Sequence, residues 1–311
     1  MKVIVEAFSR LHLGLFELGK HFGRQYGGIG VYVDRPRLRV FADNSADNII
    51  SGDLRQLALE TVREVEAHFG KRFSGELAVS SNIPVHKGFG ATTQLKLAVA
   101  TAVTKTWQLD VAPSYLGKIL GRGGISNVGT LLFGSGGLVI EFPKKQGADK
   151  TPSFIRLDFP DEWRFLVIYP INEVGPDDET ERMLFERLGP MDSDKCMEAS
   201  HLVLSRLLPS LLEKDIVEFG EALSALQRLV GDHFSKLQGG IYRSQRAADL
   251  LIELGAFGVG QSSWGPAVYG LFGDAETAAL AAEHAMKHLG NSWVVFTTKA
   301  VNHGAISSIT P

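Results

Sequence analysis

IPVHKGFGATTQLKLAVATAV, residues 83–103, places a glycine-rich turn against the start of a long apolar helix. Such a junction suits an anion. Pro84 stiffens the approach, and Gly88 and Gly90 remove Cβ atoms where a ligand can touch the backbone. Ala91 keeps the helix start small, and Thr92 and Thr93 put hydroxyls on its first turn. The unpaired N–H groups and the helix dipole favour a phosphate at that end. The Thr92 hydroxyl can also ligate a magnesium ion held by the phosphates. A plain tight turn is the alternative. The loop is not a Walker loop, because no G-K-[ST] closes it.

The rest of the sequence sets bounds. The chain has 311 residues, enough for one large domain or two fused ones. Hydrophobic residues make up 44% and charged residues 22%, which gives a globular protein with a sizeable core. The net charge of −3 offers no overall basic field to nucleic acid or to an anionic membrane, so a polyanion must be met by a local site. The single cysteine, Cys196, excludes an intrachain disulfide and suits a reducing, cytoplasmic compartment. MKVIVEAFSRLHLG is too short and too charged for a signal peptide, and no apolar run of about 18 residues offers a membrane span. A homodimer is the expected assembly on general grounds.

Periodicity gives the elements. KVIVEAF and RLHLGLFEL read as strands around a turn, and IGVYVDRPRLRVFA as another strand pair. Residues 53–69 predict an amphipathic helix, 75–81 a strand, and 92–108 a helix apolar nearly all round and therefore buried. GRGGISNVGTLLFGSGGLVIEF predicts a short glycine-framed helix ending in a strand, and KKQGADKTPS, 144–153, a surface loop. RFLVIYPI, GPAVYGLFG and SWVVFTTKA read as strands, the last of them closing the fold. Helical patterns cover 178–188, 193–212, 214–230, 242–253 and the stretch after Asp274, its expected N-cap. Strand, helices, strand, helix, strand in the second half suits a ferredoxin-like α+β sandwich with extra helices.

P-x-x-x-G-F-G-A-T-T resembles the phosphate loop P-x-x-x-G-L-G-S-S-A of the GHMP kinase superfamily. GISNVGTLLFGSGGLVI (124–140) resembles its S-G-V-D-N-A-V-S-T-W-G-G segment, and GVGQSSWGPAVYGL (258–271) its C-terminal glycine motif. SRLHLGLFELG, GRQYGGIGV, HKGFGATTQLKLAV, GRGGISNVG and GQSSWGPAVYG together are similar to the β-ribofuranosylaminobenzene 5′-phosphate synthase family. The resemblance implies a GHMP kinase-like two-part α+β fold. Its N-terminal phosphate-binding α/β part, of the ribosomal-protein type, would span 1–153 and its C-terminal ferredoxin-like part 154–311. It also implies a reaction of phosphoribosyl diphosphate with 4-aminobenzoate or 4-hydroxybenzoate, giving a C-riboside, pyrophosphate and CO2; a diphosphate leaving group met by only a local set of basic residues argues for magnesium as the cofactor. Many superfamily kinases carry an aspartate in the middle motif; aligned on Ser126, Val128 and Gly136–Gly137, it falls on Gly129.

Against that reaction the polar residues take candidate roles. Arg10 and His12, two apart on a strand, share a face. Arg10 is either a carboxylate or phosphate clamp or a structural ion-pair residue, and His12 either a general base or a core histidine. Arg122 beside Gly123 can swing toward pyrophosphate, with Ser126 further along the same motif. Arg24 and Gly28 can cover the ribose phosphate, or simply belong to an exposed hairpin loop. Gln94 makes a polar contact to substrate or to backbone, and Lys96 snorkels. Gln261, Ser262, Ser263 and Gly265 suit phosphate or carboxylate binding. Trp264 stacks on the benzoate ring or fills the gap between sheet and helices. The acids of GPDDET, 175–180, are a solvated helix start ahead of a magnesium site. His201, His233 and His284 have no zinc-ligand spacing. A kinase acting on a small molecule, or a non-catalytic ligand-binding homologue, stands as the alternative function.

Overall fold

The computed structural model describes residues 1–21, 23–44, 49–145 and 153–310. In its first half the elements run β1 (Lys2–Leu15), β2 (Arg24–Gln25), β3 (Gly28–Asp43), β4 (Ile49–Gly52), α1 (Arg55–Phe69), β5 (Glu76–Ser81), α2 (Ala91–Thr106), α3 (Pro113–Ile119), α4 (Val128–Ser135), β6 (Leu138–Glu141), β7 (Lys144–Lys145) and β8 (Phe154–Leu157). The second half follows with β9 (Arg164–Pro170), α5 (Asp178–Leu188) and α6 (Ser193–Leu202), which passes through a π-helical turn, Val203–Leu207, into α7 (Leu208–Glu213). Then come α8 (Ile216–Gln238), α9 (Gln245–Glu253), β10 (Gly258–Gln261), β11 (Val268–Phe272), α10 (Ala275–Leu289), β12 (Trp293–Thr298) and β13 (Ile306–Thr310). No helix among the described residues is long and apolar enough to cross a membrane.

β1 and β3 are each one long strand, not the strand pairs that the sequence suggested. The irregularity read as a turn is a bulge. Phe8 pairs with Arg37 and Ser9 with Val33, so Asp34–Pro36 bow out of the ladder. Pro36, which has no N–H to give, is thereby kept out of the pairing. The strands then serve two partners along their length: β3 pairs with β5 through residues 38–43 and with β6 through 28–31.

α2 lies across this sheet and is buried on nearly every side, as its sequence required: Leu95, Leu97, Ala98, Val99, Ala100, Ala102 and Val103 are all fully buried. Gln94, on the same helix, is fully buried too. It accepts from the Tyr32 hydroxyl at 2.8 Å and donates to the Gly129 carbonyl at 2.9 Å, which fixes α2 to β3 and α4. Lys96 snorkels to Glu64 at 2.9 Å.

The second sheet has the order β10-β11-β9-β12 with every pair antiparallel. In chain order that is 2-3-1-4, the ferredoxin-like arrangement expected. Asp274 caps α10 by accepting from the Thr277 N–H at 2.8 Å. α8 runs on to Gln238, past the expected end at 230, and Ile241 packs directly on it at Gly231. SWVVFTTKA is not the last strand: β13 follows and pairs with β1. It is exposed along its whole length, so no buried face imposed an alternation that could be read. β8 also pairs into the first sheet, through β6. The spatial halves therefore do not follow a division at 153 strictly, because β8 and β13 cross back. Of the expected surface loop, Lys144 and Lys145 form β7 against β2, and 146–152 lie outside the described residues.

Replacing the buried amide tests how far α2 depends on it. Gln94→Leu removes the acceptor of Tyr32 and the donor to Gly129, and is expected to cost about 1–3 kcal/mol. The check is a lowered urea midpoint at unchanged slope; an unmoved midpoint would show that the amide bears no part of the packing.

Candidate active site

The site forms where β1, the loop before α2, the glycine loop before α4, α5 and the turn after β10 converge. Arg10 and His12 rise from the same face of β1 into the cleft. The Arg10 guanidinium donates to the Gly88 carbonyl, and its Nη1 lies 3.4 Å from Ser262 Oγ. Burial pulls its pKa down to about 10, with Glu181 opposing and Arg122 adding to the shift, so it remains a cation at neutral pH.

Gly88 and Gly90 have φ of +97° and +74°, and each is needed for its own reason. A Cβ on Gly88 would fall against the Ser262 carbonyl, whereas one on Gly90 would press on Arg10 Cγ at 3.1 Å and Nε at 3.2 Å. Gly90 is the N-cap of α2 and supplies no side-chain cap, so the first-turn N–H groups at Ala91, Thr92 and Thr93 have no capping side chain. Those residues line a small polar cavity with Arg10, Arg122, Glu181 and Ser263. Arg122 donates from Nε to Thr93 Oγ1 at 3.1 Å and holds Asp178 by its two terminal nitrogens, Nη1 and Nη2, the latter at 3.3 Å. Two guanidinium groups thus stand against two carboxylates, Asp178 and Glu181.

A larger cavity adjoins the small one and shares Arg10, Thr93, Arg122, Asp178, Glu181 and Ser263 with it. Its far wall is apolar, built by Phe185, Val230, Phe234 and Ile241. Its near wall holds His12 and Ser126. His12 Nδ1 accepts from the Gly14 N–H at 3.3 Å, which leaves the ring proton on Nε2, 3.3 Å from Ser126 Oγ. Ser126 donates to Glu141 at 3.1 Å. Glu141 is fully buried, takes two further hydrogen bonds from Asn127 at 2.7 and 2.9 Å, and has its pKa pushed up by burial against the pull of Asn127 and Lys144. Burial, reinforced by Arg10, lowers His12 to about 3. His12 is thus a neutral, pinned donor, which fits the core-histidine reading rather than the general base.

The other expected site residues either lie off the two cavities or, like Gly123, Gln261, Trp264 and Gly265, line them while held by partners within the protein. Arg24 is exposed, donates to the Pro143 carbonyl at 3.0 Å and lies off both cavities. Gly28 sits in β3 opposite Glu141, where a Cβ would meet Val128 at 3.1 Å, so its smallness serves packing. Pro84 shapes the approach without lining either cavity. Gln94 has spent both ends of its amide on Tyr32 and Gly129. Ser262 is fully buried and knits the backbone, and Gln261 is consumed by Arg243, Gln227, Gln238 and Ser263. Gly123 (φ +92°) has Asn127 where a Cβ would be, and Gly265 (φ +67°) has Gln261 within 2.9 Å of that position. Trp264 lines the small cavity, but its ring is stacked on Phe234, centroids 4.4 Å apart at 15°, with Phe185 edge-on at 5.4 Å. It buttresses the aromatic wall.

Sequence reading missed Glu141, Glu181, Phe185 and Phe234, and it weighed Asp178 only as one of the GPDDET acids, preferring a solvated helix start to a magnesium site. Three of them share one face of α5, since Asp178, Glu181 and Phe185 stand at i, i+3 and i+7. Asp177 is the helix cap, accepting from Thr180 at 2.8 Å, as a helix start predicts, whereas its neighbour Asp178 turns to Arg122. Glu141 ends an apolar strand and carried no motif.

A glycine loop at a helix start, closed over by a glycine turn from a ferredoxin-like half, defines the GHMP class of proteins. Residues 56–135 match the GHMP kinases N terminal domain and 207–290 the GHMP kinases C terminal family. Homoserine kinase from Cytophaga hutchinsonii shares the fold, with a TM-score of 0.68 over 99% of this chain and 97% of that one at 15% identity. The beta-ribofuranosylphenol 5′-phosphate synthase of Methanothermobacter thermautotrophicus is 30% identical over 293 residues, 86% of this chain and 88% of that protein. The protein of the same name from Archaeoglobus fulgidus is 31% identical over 278 residues, 85% of each chain. The chain belongs to the beta-ribofuranosylphenol 5′-phosphate synthase family.

Two expectations test the site. Gly90→Ala forces a side chain into left-handed backbone at about 1–2 kcal/mol and displaces Arg10. Affinity for pyrophosphate with magnesium, read by calorimetry, should fall at least about tenfold, or ~1.4 kcal/mol; a folded variant with undiminished affinity would take the anion away from this loop. The second concerns pH. His12 has a folded pKa of about 3 against 6.5 unfolded, so its contribution to stability is complete above 6.5 and drains away as pH falls toward 3. His233, also lowered by burial, adds to that slope. His12→Gln should flatten the decline in urea stability between pH 6.5 and 4, and an unchanged slope would mean that His12 charges freely in the folded state.

Proposed function

We propose that the protein is a decarboxylating phosphoribosyltransferase. It joins phosphoribosyl diphosphate to a 4-substituted benzoate, releases pyrophosphate and CO2, and yields a β-C-riboside 5′-phosphate for tetrahydromethanopterin biosynthesis. The observation that carries this reading is the pair of adjoining cavities. One is polar and ends on the helix start with two arginines; the other has an aromatic wall. A sugar diphosphate fits the first and a planar aromatic acid the second, so the reacting carbons meet at the residues the two share. The names of the relatives carry a phenol, which favours 4-hydroxybenzoate as the acceptor.

Magnesium belongs to the same proposal. No group of three or more His, Cys, Asp or Glu among the described residues could cage a metal. The two guanidinium groups are already balanced by two carboxylates, so a diphosphate arriving there needs further positive charge. Thr92, which lines the small cavity, fits a magnesium ion held mainly by the diphosphate. When bound, the ion would neutralise charge on the leaving group. Arg122, Arg10 and the first-turn N–H groups of α2 orient the same oxygens and stabilise the departing anion. Phe185, Phe234 and Ile241 exclude water from the second substrate. A cytoplasmic homodimer is the form proposed for the working enzyme.

The test is pyrophosphate release from phosphoribosyl diphosphate with each benzoate, the product being identified by mass. Turnover with 4-hydroxybenzoate that stops on chelation is expected. Transfer of the ATP γ-phosphate to a small-molecule acceptor at enzymatic rates, or ligand binding without turnover, would overturn the reading.

A further inference from the structure

We propose that Glu181 is a catalytic carboxylate that faces the anomeric carbon and stabilises the positive charge developing there as the diphosphate leaves. The assignment rests on the phosphoribosyltransferase reading above and says which residue answers the charge problem at its centre.

Position is the first argument. Glu181 lines both cavities, so it stands at the junction where a sugar bound by its diphosphate end must present C1 to the aromatic ring. Availability is the second. Of the two acids at that junction, Asp178 is tied to Arg122. Glu181 receives one long hydrogen bond, from Ser263 Oγ at 3.4 Å, and among the described residues it has no ion pair within 4 Å. Its carboxylate is half-buried, one α-helical turn from Asp178 and one further turn from the aromatic wall at Phe185.

The chemistry is the third. The C1–O bond breaks and its electron pair leaves with the diphosphate. The ring carbon bearing the carboxylate supplies the pair for the new C–C bond. Loss of CO2 then returns the C–CO2 pair to the ring. The benzoate's negative charge cancels the sugar's positive charge, so the sequence balances with no net proton transferred to the protein. The junction therefore calls for an anion rather than a base. A carboxylate held in a partly dry cleft attracts an oxocarbenium-like centre far more strongly than it would in water.

The groups around Glu181 set its pH behaviour. Burial raises its pKa, Asp178 on its own helix raises it further, and Arg10 from β1 and Arg122 from the glycine loop pull it down, as does the Ser263 hydroxyl. Neutral His12 stands on β1, Arg182 and His86 also line the cleft, and α8 presents the uncharged Gln227 and Gln238. Glu181 must be ionised to act, so activity should fall on the acid side through a value above the usual carboxylate range.

The experiment compares wild type, Glu181→Gln and Glu181→Asp for pyrophosphate release with phosphoribosyl diphosphate and 4-hydroxybenzoate across pH. For Glu181→Gln we expect kcat to drop on the order of 10²–10³-fold, the range for losing one preorganised electrostatic group. KM for phosphoribosyl diphosphate should change little, and the acid limb of the wild-type profile should disappear. Glu181→Asp should keep the limb and recover part of kcat. If Glu181→Gln keeps kcat, or changes only KM, the assignment falls while the proposed reaction stands. If wild type gives no product with either benzoate, the reaction itself falls and the assignment with it.

Discussion

The Ser262 hydroxyl ties together three segments far apart in sequence, and the cleft exists because of it. It donates to the Gly88 carbonyl at 2.5 Å, accepts from the His12 N–H at 2.9 Å and meets Arg10 at 3.4 Å. The turn after β10, the loop before α2 and the edge of β1 are thereby held within one hydrogen-bond shell. The approach is so close that Gly88 has no room for a Cβ beside the Ser262 backbone. Lys87 adds a second tie by donating to the carbonyls of Pro170 and Ile171 at 2.9 Å each, and to that of Glu173. Gly175 N–H donates to the His86 carbonyl at 2.6 Å. The segment so anchored leads into α5, so the glycine loop before α2 and the acids of α5 are set by one network.

The same compaction governs charge. Burial is the largest influence on Arg10, His12, Glu141 and Glu181, and in each case it acts against the charged form. The outcomes differ because the starting values do. Arginine has so much to lose that it stays cationic, whereas histidine is driven neutral. Glu141 has three hydrogen-bond donors and a lysine around it; Glu181 has arginines nearby but a single weak hydrogen bond. The first carboxylate is a fixed part of the framework. The second faces the cleft with that one hydrogen bond.

Much of this was legible in the sequence where a single local cause acts. The glycine loop before α2 is written in residues that allow positive φ and close approach, and α2 in an apolar run with no polar face. Asp274 caps the helix it precedes. The ferredoxin-like class was suggested by the run of strand, helices, strand, helix and strand, although β10, a short glycine-rich strand, was not among the strands read. What was not legible depends on partners distant in sequence. The polar stretch through Arg10 could be read as a turn until the bulge at Asp34–Pro36 in the partner strand is known. Trp264 reads equally as a substrate platform or as filler until Phe234 is found lying parallel to it. The spacing of Asp178, Glu181 and Phe185 was visible, but the cleft-facing side of α5 is fixed only by the loop that anchors it.

That anchoring has a consequence for where an acid can sit. The aspartate that many kinases of the superfamily carry in the middle motif aligns with Gly129. Here the Gly129 carbonyl is bonded to Gln94, and a Cβ on Gly129 would press on Thr93 Cγ2 at 3.3 Å. Thr93 in turn accepts from Arg122 in the cleft wall. A side chain at 129 would therefore push against the residue that positions the arginine. The first half of the chain keeps that wall small and presents arginine, hydroxyls and helix N–H groups to the cleft. The acids enter from the other half, on α5. Cationic and N–H groups and carboxylates thus reach the junction from opposite sides, so each enters the cleft without its neighbours in sequence crowding the other.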